Sequence, residues 1–464
     1  MTSRHKVFIV TLGCAKNTAD TDNLTRLLKA RGCLIAANPE EADAIIVHTC
    51  SFIEAAKKQS IEAILQAGGI KTGKQKLFAT GCLIQQHGAE LFKEMPEVDA
   101  FLGTGQLAQI PGLLEKPRNR FINRARPGGF MDAPRQSKNA DFGVWSSELG
   151  ISNKNNLLPH SAFHIPQFPK ASAYLRLSEG CSHPCSFCVI PRIRGAVQSR
   201  SEDAILREAR ELAEHGVEEF SVIAQDTGDW GRDTRSRNRL PELLRAIGKI
   251  PGVRWVRLMY MHPASFSDDL LEVFAEQPDK FPYLDMPLQH IDSQILSRMR
   301  RKIDEKNTRL LIERVRKRAP DLSLRTTLLA GFPGETAAQF RRLVEFVKEG
   351  HFDYLGAFAY SREEGTVAGR MPGQISQKVK QERQTTLTDA YYDTAHTRAQ
   401  KRIGKAEIIL IEETEGNEVL GRTRREAPEI DAIVRLPQKA ARRGRFVTAK
   451  LTGYDAFEYT AQPL

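Results

Sequence analysis

The chain has 464 residues, of which 41% are hydrophobic and 27% charged, and it carries a formal net charge of +11 at pH 7. That length suits about three domains, the composition is that of a soluble globular protein, and no apolar run approaches the roughly 20 residues a membrane-spanning helix needs. The opening "MTSRHKVFIVTLGC" has too short an apolar stretch, and no small-residue cleavage site, for a signal peptide, so a cytoplasmic location is expected. A pI near 9.3 suits an anionic partner such as RNA or the ribosome. Seven cysteines, an odd number in a cytosolic chain, argue against a disulfide framework.

In chain order, the first hundred residues alternate apolar runs with helical patterns. "KVFIVTLGC", "DAIIVHTC" and "KLFATGC" read as buried parallel strands. Each finishes at a cysteine: Cys14, Cys50 and Cys82. Loops at the carboxyl ends of parallel strands share one edge of the sheet, where open α/β folds bind ligands, so these thiols are expected to converge as a ligand set. Cys33 falls between strand signals and reads as a core or surface thiol. "GGIKTGKQ" imitates a phosphate loop, but Gln75 stands where Ser or Thr should hold magnesium. It also precedes a strand instead of following one, so that reading is rejected.

Residues 116–170 are rich in Pro, Asn, Gly and Arg and read as a long basic linker. Six strand signals follow from Ala173, most of them separated by helical stretches, with Ser201 as a plausible N-cap. They predict a partial (β/α)6 barrel, whose active site would lie at the carboxyl ends of its strands. Cys181, Cys185 and Cys188 follow the first of these strands; Gln225 and Asp226 end the second, Gln289 ends the fourth, and Arg325 lies in the fifth. After about Arg402, five short strands predict a small OB-like barrel. Its Glu412, Glu413, Glu415, Glu418, Glu426, Glu429 and Asp431 interleave with arginines, which suits a basic protein partner better than phosphate. The expected division is therefore an α/β N-terminal domain at 1–115, a linker at 116–170, the central barrel at 171–401 and the small barrel at 402–464.

Zinc could use the three clustered cysteines with His183 as a fourth ligand, but His183 lies inside the first short loop and would strain the turn. Structural zinc sites more often join two ligand pairs from separated segments. A 4Fe-4S cube suits three closely spaced thiolates better and leaves one iron open to a chelating substrate.

At these residues the chain resembles a known family. "CSHPCSFC" is similar to the C-x3-C-x2-C signature of radical S-adenosylmethionine (SAM) enzymes. "TLGCAKNTADTDNL", "VHTCSFIEAA", "ATGCL", "TTLLAGFPGET" and the C-terminal small barrel (a TRAM domain in that family) resemble the methylthiotransferases. The resemblance implies a SAM-chelated 4Fe-4S cluster on Cys181, Cys185 and Cys188, and an auxiliary 4Fe-4S cluster on Cys14, Cys50 and Cys82. It implies SAM contacts for Gln225, Asp226, Gln289 and Arg325, and assigns no side chain as catalytic. It further implies that one SAM methylates a sulfur of the auxiliary cluster, and that a radical from a second SAM abstracts hydrogen from the substrate carbon that receives the methylthio group. An electron donor such as flavodoxin or ferredoxin and a monomeric enzyme are expected. "GCAKNT", "IAQDTGDWG", "YLDMPLQH" and "EAPEID" resemble the RimO branch, which modifies an aspartate of the twelfth small-subunit ribosomal protein. A tRNA adenosine methylthiotransferase and a zinc-containing RNA-binding protein are the alternatives. The chain departs from the family at His48, where Asn is usual, and at Trp230, where Tyr is usual.

Overall fold

The computed structural model describes residues 5–115, 121–123, 171–234, 239–440 and 444–464. Up to residue 123, six strands run parallel: β1 (Lys6–Thr11), β2 (Leu34–Ile35), β3 (Ala44–Thr49), β4 (Lys76–Gly81), β5 (Ala100–Leu102) and β6 (Phe121–Asn123), in the order β2-β1-β3-β4-β5-β6. The helices α1 (Ala15–Ala30), α2 (Glu54–Ile70), α3 (Cys82–Glu94) and α4 (Ile110–Leu114) connect or follow them. Alternate side chains along β1 enter two different cores: Phe8 and Val10 join Val47 and Ile64, while Val7 and Ile9 join Leu24 and Phe78. Burial on both faces explains why the strands read as unbroken apolar runs. Cys33 is buried in the second of these cores. Gln75, the residue that spoils the phosphate-loop pattern, donates its amide to the carbonyls of Pro39 (2.8 Å) and Ala42 (2.7 Å), tying the turn before β4 to the segment before β3. The basic stretch 116–170 lies outside the described residues except for β6.

The chain continues through β7 (Ser172–Arg176), β8 (Ser178–Glu179), α5 (Ile190–Arg194) and β9 (Gln198–Ser199). Then α6 (Glu202–Glu214), β10 (Glu219–Ile223), α7 (Leu240–Gly248), β11 (Trp255–Leu258), α8 (Asp268–Glu276) and β12 (Tyr283–Asp285) alternate strictly. The helices α9 (Ser293–Met299) and α10 (Glu305–Arg318) lead to β13 (Ser323–Ala330), and α11 (Ala337–Lys348) leads to β14 (Tyr354–Ala359). The result is a six-stranded parallel sheet in the order β14-β13-β12-β11-β10-β7, each strand beside its sequence neighbour, as a partial (β/α) barrel requires. Ser201 caps α6 by accepting from the Ala204 N–H at 3.3 Å, and Ile205, Leu206, Ala209 and Leu212 bury the stripe behind it. Thr336 and Gln339 form a capping box at the start of α11. Among the described residues no helix is long and apolar enough to cross a membrane.

After α12 (Gln377–Gln400), the strands β15 (Ala406–Glu415), β16 (Glu418–Thr423), β17 (Ile433–Pro437), β18 (Phe446–Asp455) and β19 (Glu458–Pro463) close into a barrel. The small barrel is fastened to the amino ends of the central strands. Glu219, the first residue of β10, is 0% exposed. Arg257 of β11 pairs with it, and Arg422 of β16 grips it through two bonds of 3.0 and 2.6 Å. Burial opposes ionisation of Glu219, but Arg422 and Arg257 outweigh it and hold the carboxyl down to about 2. Beside this pair, Tyr283 donates to Asp431 (2.6 Å), Tyr354 to Glu426 (2.7 Å) and the Ser323 hydroxyl to the Arg425 carbonyl (2.7 Å).

This arrangement changes the reading of the barrel's acids. Glu426 and Asp431 point inward at the central domain, Glu412 is bound by Arg422, and Glu415 and Glu418 are bound by Arg435. Most of the carboxylates expected to face a basic partner are therefore neutralised within the fold.

Removing one partner of a buried ion pair typically costs about 3–5 kcal/mol, so Glu219→Gln is expected to lower stability to urea by about that amount. The sign of the pH dependence follows from the depressed carboxyl. Its contribution is complete above the ordinary value of 4.5 and is lost as pH falls toward about 2. Urea midpoints measured between those limits should fall steeply for the natural chain and less steeply for Glu219→Gln.

Candidate metal centres

Strand register brings Cys14, Cys50 and Cys82 to one level. Thr11 pairs with His48, His48 with Thr80, and Thr49 with Gly81, so Cys50 and Cys82 leave adjacent strands side by side. Cys14 is the N-cap of α1 and Cys82 opens α3. Gly13 precedes Cys14 at φ +101°, and a Cβ there would lie 2.6 Å from the Cys50 Cβ and 2.8 Å from its Sγ. Gly81 precedes Cys82 at φ +103°, and a Cβ there would lie 2.6 Å from the Thr49 carbonyl. Both positions need the left-handed region and the missing side chain at once. Gly180 repeats the arrangement before Cys181, at φ +75°.

Hydrogen bonds hold these turns. The Cys50 N–H donates to the Ser60 hydroxyl (3.0 Å), which returns a bond to the Cys50 carbonyl (2.8 Å). Asn17, one helical turn beyond Cys14, donates its amide to the carbonyls of Leu12 (2.6 Å) and Thr49 (3.1 Å), joining the ends of β1 and β3. Cys14 is exposed, whereas Cys50 and Cys82 are buried. Burial pushes the Cys50 thiol up to about 12, and Cys82 and Cys14 push the same way. Burial also raises Cys82, against the opposing charge of Arg194. Cys14 goes the other way: desolvation opposes its ionisation, but Lys16 and Arg194 outweigh it and lower the thiol. The two buried thiols that resist ionising beside it are suited to a multivalent metal cluster, because the cluster's positive charge stabilises the thiolates it binds.

Sequence reasoning missed Arg194. Its guanidinium, 3% exposed, donates to Glu179 (2.8 Å), to the Asn17 amide oxygen (2.9 Å), to Asp20 (3.4 and 3.5 Å) and to the Cys82 sulfur (3.5 Å). A charged residue in the otherwise ordinary "IPRIRG" gives no local sign of a partner so distant in sequence.

Cys181 donates its N–H to the Gly195 carbonyl at 3.0 Å. Cys185 and Cys188 share a turn closed by the Cys188 N–H on the Cys185 carbonyl at 3.2 Å. All three clustered cysteines are half-buried. Ser186 pins the turn by donating to the carbonyls of Met299 (3.1 Å) and Arg298 (2.8 Å), Phe187 packs against a core containing Met299 and Phe332, and Arg301 lies 3.7 Å from the Cys185 sulfur. His183, weighed as a zinc ligand, places Nε2 between Asp226 (2.6 Å) and Asp229 (3.2 Å) and stacks on His262 at 4.3 Å between ring centroids. Burial opposes its protonation, but the two carboxylates outweigh burial and raise it to about 9. Its Nε2 is occupied in tying loops together.

Asp226 lies just beyond β10 and accepts from His183, from the N–H groups of Gly228 (2.9 Å) and His262 (3.1 Å) and from the Ser265 hydroxyl (3.4 Å). Gln225 beside it is half-buried. Gln289 adopts φ +74° beyond β12, and its backbone bonds Thr327 and Leu329 of β13. These three residues lie toward the carboxyl ends of the strands. Arg325 instead sits near the amino end of β13, paired with Asp285 (3.1 Å) and with Asp431 of the small barrel (3.3 Å).

Three family models match the chain: "Uncharacterized protein family UPF0004" at residues 6–103, the radical SAM superfamily at 175–347 and a TRAM domain at 403–463. The chain is 38% identical over 461 residues to "Ribosomal protein uS12 methylthiotransferase RimO" of Desulfitobacterium hafniense, covering 98% of both chains. It is 40% identical over 463 residues to the protein of the same name from Geobacter sulfurreducens, again covering 98% of both. Among solved structures, the radical S-adenosylmethionine methyltransferase TsrM from Kitasatospora setae matches with a TM-score of 0.51 and 15% identity over 79% of this chain and 77% of that one, a likeness of fold alone.

Gly13→Ala should damage the N-terminal site selectively, since it forces a strained backbone, on the order of 1–3 kcal/mol, and drives a methyl group onto the Cys50 sulfur. Anaerobically reconstituted Gly13→Ala is expected to lose iron, while Cys33→Ala, altered in the apolar core away from the strand ends, keeps its full complement; iron assay with circular dichroism checks both.

Proposed function

Because the chain belongs to the RimO family of radical SAM methylthiotransferases, we propose that it adds a methylthio group to the β-carbon of an aspartate in ribosomal protein uS12. In this reading Cys181, Cys185 and Cys188 hold a 4Fe-4S cluster that SAM chelates, and Cys14, Cys50 and Cys82 hold an auxiliary 4Fe-4S cluster. The observation that carries the reading is the level register of β1, β3 and β4, which delivers three cysteines to one sheet edge, two of them behind left-handed glycines. When bound, the SAM-chelating cluster supplies the electron that cleaves SAM to a 5′-deoxyadenosyl radical, and the auxiliary cluster carries the sulfur for transfer. Radical chemistry is needed because the β-carbon hydrogen is too weakly acidic for a side-chain base at neutral pH.

The protein's own residues bind, orient and exclude water. Ser60 and Asn17 fix the turns that carry Cys50 and Cys14. Ser186 fixes the turn of Cys185 and Cys188. Asp226 holds the loops after β10 and β11 together through four bonds, so that Gln225 and Gln289 can meet SAM from the strand ends. Arg325, its charge already met by Asp285 and Asp431, acts by bracing the base of the barrel. The enzyme works in the cytoplasm as a monomer supplied by a one-electron donor such as flavodoxin or ferredoxin, with domain boundaries near residues 115, 170 and 401.

The test uses the full chain reconstituted without oxygen. Replacing Cys181, Cys185 and Cys188 together with Ala should leave about half of the iron, one cluster of two, and abolish SAM cleavage. Mass spectrometry should find the methylthio group on uS12 after incubation of the natural enzyme with SAM and reductant, and none on tRNA. Loss of all iron from the folded triple variant would refute the two-cluster reading, and modification of a tRNA adenosine would reverse the substrate.

A further inference from the structure

We infer that Arg194 is a positioning residue for the auxiliary cluster: its guanidinium donates a hydrogen bond to the Cys82 sulfur and thereby makes the cluster easier to reduce. The inference rests on the proposal that Cys14, Cys50 and Cys82 hold that cluster.

Three observations support it. The guanidinium is 3% exposed and its Nη2 lies 3.5 Å from the Cys82 sulfur, a distance at which an ionised donor bonds a thiolate. Its aim is over-determined. Nη1 is held by Glu179 (2.8 Å) and Asp20 (3.4 Å), and Nη2 by the Asn17 amide oxygen (2.9 Å) and Asp20 (3.5 Å). Asn17 in turn ties the strand ends that carry Cys14 and Cys50. Finally, the residues around Arg194 are fastened to the same sulfur-bearing residue, for Val189 and Ile193 pack against Cys82 in a small apolar cluster. A buried arginine with two carboxylate partners needs no sulfur to satisfy its charge, so the fork's reach to Cys82 is a use of its remaining donor capacity.

The direction of the effect follows from charge. Reduction adds an electron to a cluster whose thiolate ligands are already negative, and a donor on a ligand sulfur stabilises the electron-rich state, which raises the potential. Asp20, which Arg194 engages, also approaches His48 Nε2 at 3.9 Å.

The experiment is done in the full chain with Cys181, Cys185 and Cys188 replaced by Ala, so that only the N-terminal cluster contributes. Iron content and the reduction midpoint, followed by electron paramagnetic resonance under potentiometric control, are compared with and without Arg194→Met. Iron content should be unchanged, and the cluster should become about tenfold harder to reduce, a midpoint ~59 mV more negative for one electron. Arg194→Lys keeps the charge but has a single ammonium that Glu179 engages, so its midpoint should move the same way by less. If Arg194→Met does not fold, Arg194→Lys decides alone. An unchanged midpoint in a folded, iron-loaded variant overturns the role of Arg194 and leaves the cluster standing. Absence of iron from the parent, or iron that survives further replacement of Cys14, Cys50 and Cys82, overturns the cluster assignment and this inference with it.

Discussion

Parallel strand register is the constraint on which the rest of this molecule depends. In a parallel sheet every strand leaves on the same edge, and the pairing of Thr11, His48 and Thr80 makes β1, β3 and β4 end level. A slip of one residue in any of these strands would turn its side chains to the other face and would separate Gly13 from Cys50. The two cores on either side of the sheet, each fed by alternate residues of β1, hold that register in place. The thiol edge is therefore a consequence of the packing of Phe8, Val10, Val7 and Ile9, none of which touches the chemistry.

Glycine supplies the next condition. At Gly13 and Gly81 the chain must turn sharply enough to start a helix at the following cysteine, and neighbouring strands stand so close that even a methyl group has no room. Backbone turned in this way is expensive for any other residue. Small polar side chains finish the work at low cost in volume: Ser60 and Asn17 donate to carbonyls at the strand ends.

The central sheet divides its labour between its two ends. Its carboxyl ends carry Gln225, Asp226 and Gln289, and loops there are tied by Asp226 and His183. Its amino ends carry Glu219, Tyr283, Ser323 and Tyr354, which are committed to the small barrel through Arg422, Asp431, Arg425 and Glu426. A buried carboxylate without its arginines would be a severe penalty, so the barrel is a structural continuation of the central domain as well as a candidate docking module. That placement also explains why its acidic composition misleads: Glu426 and Asp431 are spent on the interior.

Much of the site was legible in the sequence because it is local. A buried parallel strand reads as an apolar run, and a cysteine at the end of such a run lies at the sheet edge; Gly-Cys pairs and the C-x3-C-x2-C spacing likewise need only neighbouring residues to be recognised. The alternation of strands and helices in the central domain, the cap at Ser201 and the small five-stranded barrel followed from the same short-range patterns. Partners brought together by the fold were not legible. Arg194 meets Asn17 across 177 residues and Arg422 meets Glu219 across 203, and periodicity carries no information about such pairs. An arginine on a short helix and a glutamate at a strand start look like solvated surface until tertiary packing removes the water from both. Arg325 illustrates the same limit, since its strand was readable but the end at which its charge is met was not. Sequence by itself determined where backbone and cysteines could go, because sterics and apolar burial act over a few residues; only tertiary structure decided which charges are buried together, because desolvation depends on everything packed around them.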